Sequence, residues 1–152
     1  MAYNTAEARQ ELLDDVAEAI DDIAVALAAL GEAFEQLDDF NADRLEGELF
    51  RPVQLAYGRA QRTHADFAAR HGLPGRTFAP ASPLLPSNGA KGLVTAAVDA
   101  IGHADTTLAT LQDSMRPVEV GDAELRAGLS EARRLIAPLP SRAAQLVRVF
   151  GR

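Results

Sequence analysis

The chain contains no cysteine and no tryptophan, and Lys91 is its single lysine. Without cysteine there is no disulfide framework, no thiolate zinc site and no cysteine nucleophile. Positive charge is also short. The formal net charge is −7, the opposite of the basic face that nucleic-acid binding requires, so no nucleic-acid partner is expected. Aromatic residues make up only 5% of the chain. The apolar content rests instead on Ala, Leu and Val, the composition of helices packed closely through small side chains. The longest apolar run, residues 23–31, falls well short of the about 20 residues a membrane-spanning helix needs, and no membrane association is expected. The opening residues Met1-Ala2-Tyr3-Asn4-Thr5 show neither the basic nor the apolar region of a signal peptide, which points to a cytoplasmic protein.

What the chain does have is heptads. Leu13, Val16, Ile20, Ile23, Leu27, Leu30, Phe34 and Leu37 alternate at spacings of three and four, which places all eight on one seam of a helix with the period of left-handed bundle packing. A second segment, residues 41–71, carries Leu45, Leu49, Val53, Ala56, Ala60, Thr63, His64 and Phe67. Asn41 is its expected N-cap, and Gly72 with Pro74 its stop. Pro52 predicts a kink or break near Phe50. The third segment starts near Ser87-Asn88 and runs to about Met115, with Ala90, Val94, Ala97, Ile101, Ala104, Leu108, Leu111 and Met115 on its seam. The fourth, N-capped by Asp122, reads Leu125, Leu129, Ala132, Ile136, Leu139, Ala143, Leu146 and Phe150. Its register survives Pro138 and Pro140, so a bent helix, or a second short one capped by Ser141, is expected to line a single seam.

At 152 residues one domain with its own core is expected over residues 1–152. Four amphipathic segments predict an all-α fold, a four-helix bundle with up-down-up-down order favoured. Net charges of −10, +2, −3 and +4 over residues 1–39, 40–76, 77–122 and 123–152 would seat the acidic first helix between the second and fourth, with the third diagonal to it. The connection at residues 72–88 is long for a bundle loop and holds Pro74, Pro80, Pro83 and Pro86. Extended at ~3.1 Å per residue it would span roughly 50 Å, enough for an overhand crossover in place of a hairpin. Phe78, Leu84 and Leu85 are expected to pack on the bundle or to face a partner.

Chemistry is sparse. A carboxylate-bridged metal core needs inward carboxylates and Glu-x-x-His pairs, but Gln61, Ala68 and Ala100 stand three residues before His64, His71 and His103. No metal, no other cofactor and no catalytic residue are expected, and the chain reads as non-enzymatic. No serine lies in a nucleophile elbow. His64 and His71 share one side of the second helix with Phe67 and Tyr57. They form either a polar ligand pocket closed by the Pro-rich loop or ordinary boundary positions, His71 favouring the helix dipole. His103 with Asp99 makes an i,i+4 pair. Ser87 to Gly92 opens a helix, lacks phosphate-loop spacing, and has Arg76 as a candidate neighbour.

Asp14-Asp15 and Asp21-Asp22 recur at seven with Glu11, Glu18 and Glu32 beside them, an acidic exterior that is either solvated or docks a basic partner. From Ala24 to Leu30 the first helix turns apolar on every side, with Val25, Ala28 and Ala29 where acids stood one heptad earlier. Either the Pro-rich loop or a second copy covers that belt, or its alanines are tolerated on the surface as good helix formers, with Val25 the lone anomaly. A homodimer or partner-binding module, with its interface at Val25, Ala28 and Ala29, is the leading expectation. The alternative is a small-ligand site at Tyr57, His64, Phe67 and His71.

Overall fold

The computed structural model describes residues 5–81 and 89–150. The chain is all-helical, with no strand among those residues. Helix α1 spans Thr5–Glu35; α2 (Asp39–Leu45), a π turn (Glu46–Phe50) and α3 (Arg51–Arg70) follow as one unbroken helical run. After the long connection come α4 (Gly89–Asp113), the short α5 (Arg116–Glu119), α6 (Ala123–Ile136) and α7 (Leu139–Phe150). Five of these, α1, α3, α4, α6 and α7, are twelve residues or longer. No helix among the described residues is long and apolar enough to cross a membrane.

The heptad seams are the core, except at the end of the third, where Met115 lies beyond α4 in the left-handed region (φ 69°) and is half exposed. Leu13, Val16, Ile20, Ile23 and Leu30 of α1 are buried, as are Val94, Ala97, Ile101, Ala104, Leu108 and Leu111 of α4. Leu125, Leu129, Ala132, Ile136, Leu139, Ala143 and Leu146 of α6 and α7 join them in one contiguous cluster. The helix starts follow from capping chemistry. Asp122 caps α6 as expected, its carboxylate accepting the Leu125 N–H. The second run is capped by Asp38 and not by Asn41; Asn41 supplies the N–H that the Asp38 carboxylate accepts. An aspartate placed three residues before a free N–H meets the N-cap requirement better than an asparagine already inside the turn. Gly72 (φ 66°) ends the run, and the Leu73 N–H reaching back to the Ala68 carbonyl gives the expected stop its Schellman form.

Pro52 neither breaks nor visibly interrupts the second run. It stands in the first turn of α3, directly after the π turn. The wider turn accommodates a residue without an N–H. The Glu48 carbonyl, the acceptor that an ordinary residue 52 would have used, receives Arg142 Nη1 from α7 at 3.4 Å.

Helix directions overturn the up-down-up-down expectation. Gly31 of α1 faces Phe50, and Asp14 shares a cleft with His64, so α3 runs antiparallel to α1. Gly89 lies against Gln36 at the C-terminal end of α1, while Arg116 pairs with Asp15 and Arg9 Nε donates to the Val120 carbonyl near its start. Thus α4 is also antiparallel to α1, and therefore parallel to α3. The seventeen-residue connection is the crossover that this order requires. Its described part climbs α1: Arg76 bonds Asp21, and Pro80 and Ala81 lie by Ala24, Leu27 and Ala28. Phe78 packs half-buried on the core; Leu84, Leu85 and Ser87-Asn88 fall outside the described residues.

The neighbour order predicted from charge is also wrong. The most extensive packing is α1 on α4, then α3 on α6, and it is α6 that lies across from α1. Exposed ion pairs contribute only about 0–1 kcal/mol each, whereas two long alanine-rich seams bury apolar surface along their whole length. The proline pair ends α6 at Ile136 and starts α7 at Leu139, two residues before Ser141, with Ala137 still helical. The two halves keep one seam in the core but serve different neighbours: α6 packs on α3, and α7 on α4 and the π turn.

Candidate functional site

The acidic exterior of α1 and the crossover together enclose a surface cleft of about 590 Å3. Its α1 wall is made by Gln10, Asp14, Glu18 and Asp21, positions that recur every three or four residues and so stack on one helix face. The opposite wall is Pro74, Gly75 and Arg76 from the crossover, and His64 of α3 lies between the two. Arg76 holds the walls together. Its Nη2 donates to Asp21 at 3.1 Å, and its guanidinium carbon lies 4.6 Å from the centroid of the Phe78 ring. Both Arg76 and Asp21 are about half exposed, so the pair is a weak tie.

His64 is the unusual member. It is 3% exposed, and its Nδ1 is buried without a hydrogen-bond partner among the described residues. Phe78 meets the imidazole edge-on at 5.2 Å. Burial holds its pKa below the ordinary histidine value; the Arg76 charge acts in the same direction and Asp14 opposes it. At neutral pH the ring is therefore uncharged, with one nitrogen a donor and the other an acceptor.

The four residues singled out as a ligand site do not converge. His64 lines the α1 cleft. Tyr57 borders a separate hollow of about 220 Å3 with Ala24, Leu27, Ala28, Pro80 and Ala81. Its hydroxyl is buried without a partner among the described residues, and burial followed by the Asp21 charge raises its pKa. Phe67 is fully buried in the core. His71 packs on Phe67 with ring centroids 4.4 Å apart, and its Nε2 meets Asp122 at 2.9 Å. That makes His71 a tie between the end of α3 and the start of α6, alongside Arg70, which reaches both Asp122 oxygens at 2.8 Å. Burial pushes the Asp122 carboxyl up. The bonds from Arg70, the Leu125 N–H and His71 outweigh it and hold that group well below the usual carboxylate range.

Of the residues proposed as an interface, Ala29 is fully buried within the chain. Val25 and Ala28 are half-buried, and Ala28 borders the hollow beside Pro80 and Ala81. The Pro-rich connection is thus the element found over this part of the belt. The acidic face is more than solvated surface, since Asp15 and Glu11 pair with Arg116 and Asp21 with Arg76. His103 and Asp99 are both exposed and border a different groove, next to Pro140. No group of three or more metal-ligating side chains comes together among the described residues. The seven-residue recurrence of Asp14 and Asp21 was visible in the sequence. Gln10, Arg76 and Phe78 as their companions were not, because only the course of the crossover brings residues 74–78 to α1.

Comparison with family models, with curated proteins and with solved structures finds no match to this chain. Its function is therefore read from its own geometry. The cleft offers three carboxylates, an amide, a guanidinium and a neutral imidazole, with no hydroxyl or thiol among its described lining residues.

Proposed function

We propose that this chain is a non-enzymatic binding protein, a four-helix bundle with an overhand crossover, that receives its ligand in the cleft between α1 and residues 74–76. The observation that carries this is His64: a buried imidazole with an unsatisfied Nδ1 in the wall of a polar cleft. An unpaired buried polar group costs about 1–3 kcal/mol, and an apolar side chain of similar size would avoid that cost. A bound partner gives the group a use that the fold alone does not.

Self-association through the Ala24–Leu30 belt is the rival reading. Pro80 and Ala81 already lie by Ala24, Leu27 and Ala28, which removes the main reason to place a second chain there. Native mass spectrometry of protein purified from its own host separates the two. An added mass on one chain, absent from the His64→Leu variant, is the expected result. A mass of twice 16.2 kDa with nothing added, or an adduct that His64→Leu retains, overturns the reading.

A further inference from the structure

We propose that the occupant of the α1 cleft is a cation rich in N–H donors, a guanidinium or primary ammonium group; this rests on the binding reading above. The hydrogen-bonding inventory of the walls points to it. Asp14, Glu18 and Asp21 are acceptors only, and the Gln10 amide gives one of its two N–H donors to Asp14 at 3.0 Å while its carbonyl adds another acceptor. The neutral ring of His64 lines the same cleft, and its buried Nδ1 has no partner among the described residues. Arg76 is the one cation on the walls, and it is already engaged by Asp21.

The chain itself seats a guanidinium at one end of this cleft. Arg76 lies on the face of Phe78 and against the Asp21 carboxylate, 3.0 Å from Oδ2. Asp14 and Glu18 continue the row of acceptors along α1, one turn apart, without a cationic partner among the described residues. An anion entering here would face three carboxylates, whereas a guanidinium or ammonium brings several donors and no acceptor to a wall of acceptors. A divalent metal ion is disfavoured by the spread of the carboxylates, which form no three-ligand group among the described residues.

The test is NMR titration of the full chain at low ionic strength, reading the His64 ring resonances above neutral pH. The probes are spermidine, a short alternating Arg-Ala peptide and inorganic phosphate. Saturable shifts with spermidine or the peptide are expected, weakened at least tenfold in Asp14→Asn/Glu18→Gln. Neutralising two exposed acids elsewhere, Asp43→Asn/Glu119→Gln, should leave the affinity within twofold. Tighter binding of spermidine identifies a free small cation, and tighter binding of the peptide identifies a basic segment of another protein. Equal weakening by both double variants would reduce the effect to bulk charge and overturn the proposal. A saturable response to phosphate alone would overturn the cation assignment while leaving the cleft as a binding site. No saturable response at His64 to any probe would overturn both.

Discussion

Replacing Gly128 with alanine should destabilise the protein, although alanine is the better helix former. Gly128 sits buried in α6 where the helix crosses α3. A Cβ there would lie 2.7 Å from Thr63 Cγ2 and 2.9 Å from Thr63 Cβ, and closer still to Thr63 Oγ1. Thr63 cannot swing aside cheaply. It is 3% exposed, its hydroxyl donates to the Arg59 carbonyl at 2.8 Å, and it accepts Arg59 Nη1 at 3.2 Å. Its branched Cβ also restricts χ1 on a helix. Relief must therefore come from moving α6 away from α3. Overpacking of this kind costs about 1–3 kcal/mol, and three contacts under ordinary van der Waals separation place it near the upper end. The gain in helix propensity is about 1 kcal/mol, which leaves a net loss of about 2 kcal/mol. For a domain of this size that lowers Tm by about 4–8 °C. Thermal and urea unfolding followed by far-UV circular dichroism measure it. Adding Thr63→Ala removes the hydroxyl and methyl that obstruct the new Cβ, so the double variant should be more stable than the sum of the singles by about 1–2 kcal/mol. A Gly128→Ala variant as stable as the parent, or strict additivity with Thr63→Ala, would refute the close crossing as the reason for the glycine.

Three further outcomes follow from the same contacts. Asp122→Ala removes a helix cap and the anchor for Arg70 and His71, at a cost of about 2 kcal/mol in urea unfolding. Because the fold holds the Asp122 carboxyl low, its contribution is complete above the unfolded-state pKa and is lost as pH falls below about 4; the variant should show a shallower acid limb. His64→Leu removes the orphaned nitrogen and should raise stability by about 1–3 kcal/mol. The folded-state pKa of His64 is lowered, so the parent loses stability as pH falls below about 6.5 and the variant lacks that component, which unfolding at a series of pH values reads. Val25→Glu, on a belt that the chain's own crossover reaches, should leave the native mass at a single chain; a parental dimer converted to monomer by this change would restore the self-association reading.

The acidic heptad of α1 shows how far the residues alone could lead to the site. Asp14, Glu18 and Asp21 announce a shared face by spacing, and His64 announces a boundary position on the second seam. Their meeting depends on the crossover, because a chain that returned as a hairpin would have carried Arg76 and Phe78 away from α1. Gly128 illustrates a different limit. It lies beside the seam, and nothing in the pattern marks it. The need for a missing side chain exists only where two helices approach closely.

The sequence by itself determined that the chain is helical and which face of each helix is buried. Those properties are local: a 3.5-residue apolar period selects one stripe, Asp122 and Gly72 set ends through hydrogen bonds only a few residues long, and a long Pro-rich segment cannot join a helix. Only the tertiary structure decided that α4 and not α6 packs beside α1, that residues 74–81 of the connection lie along α1, and that the Pro52 turn widens instead of breaking. Each of those choices weighs apolar surface buried between distant segments against terms that are small and screened at the surface. Charge balance, the one long-range signal that composition offers, belongs to the small terms, and it named the wrong neighbour.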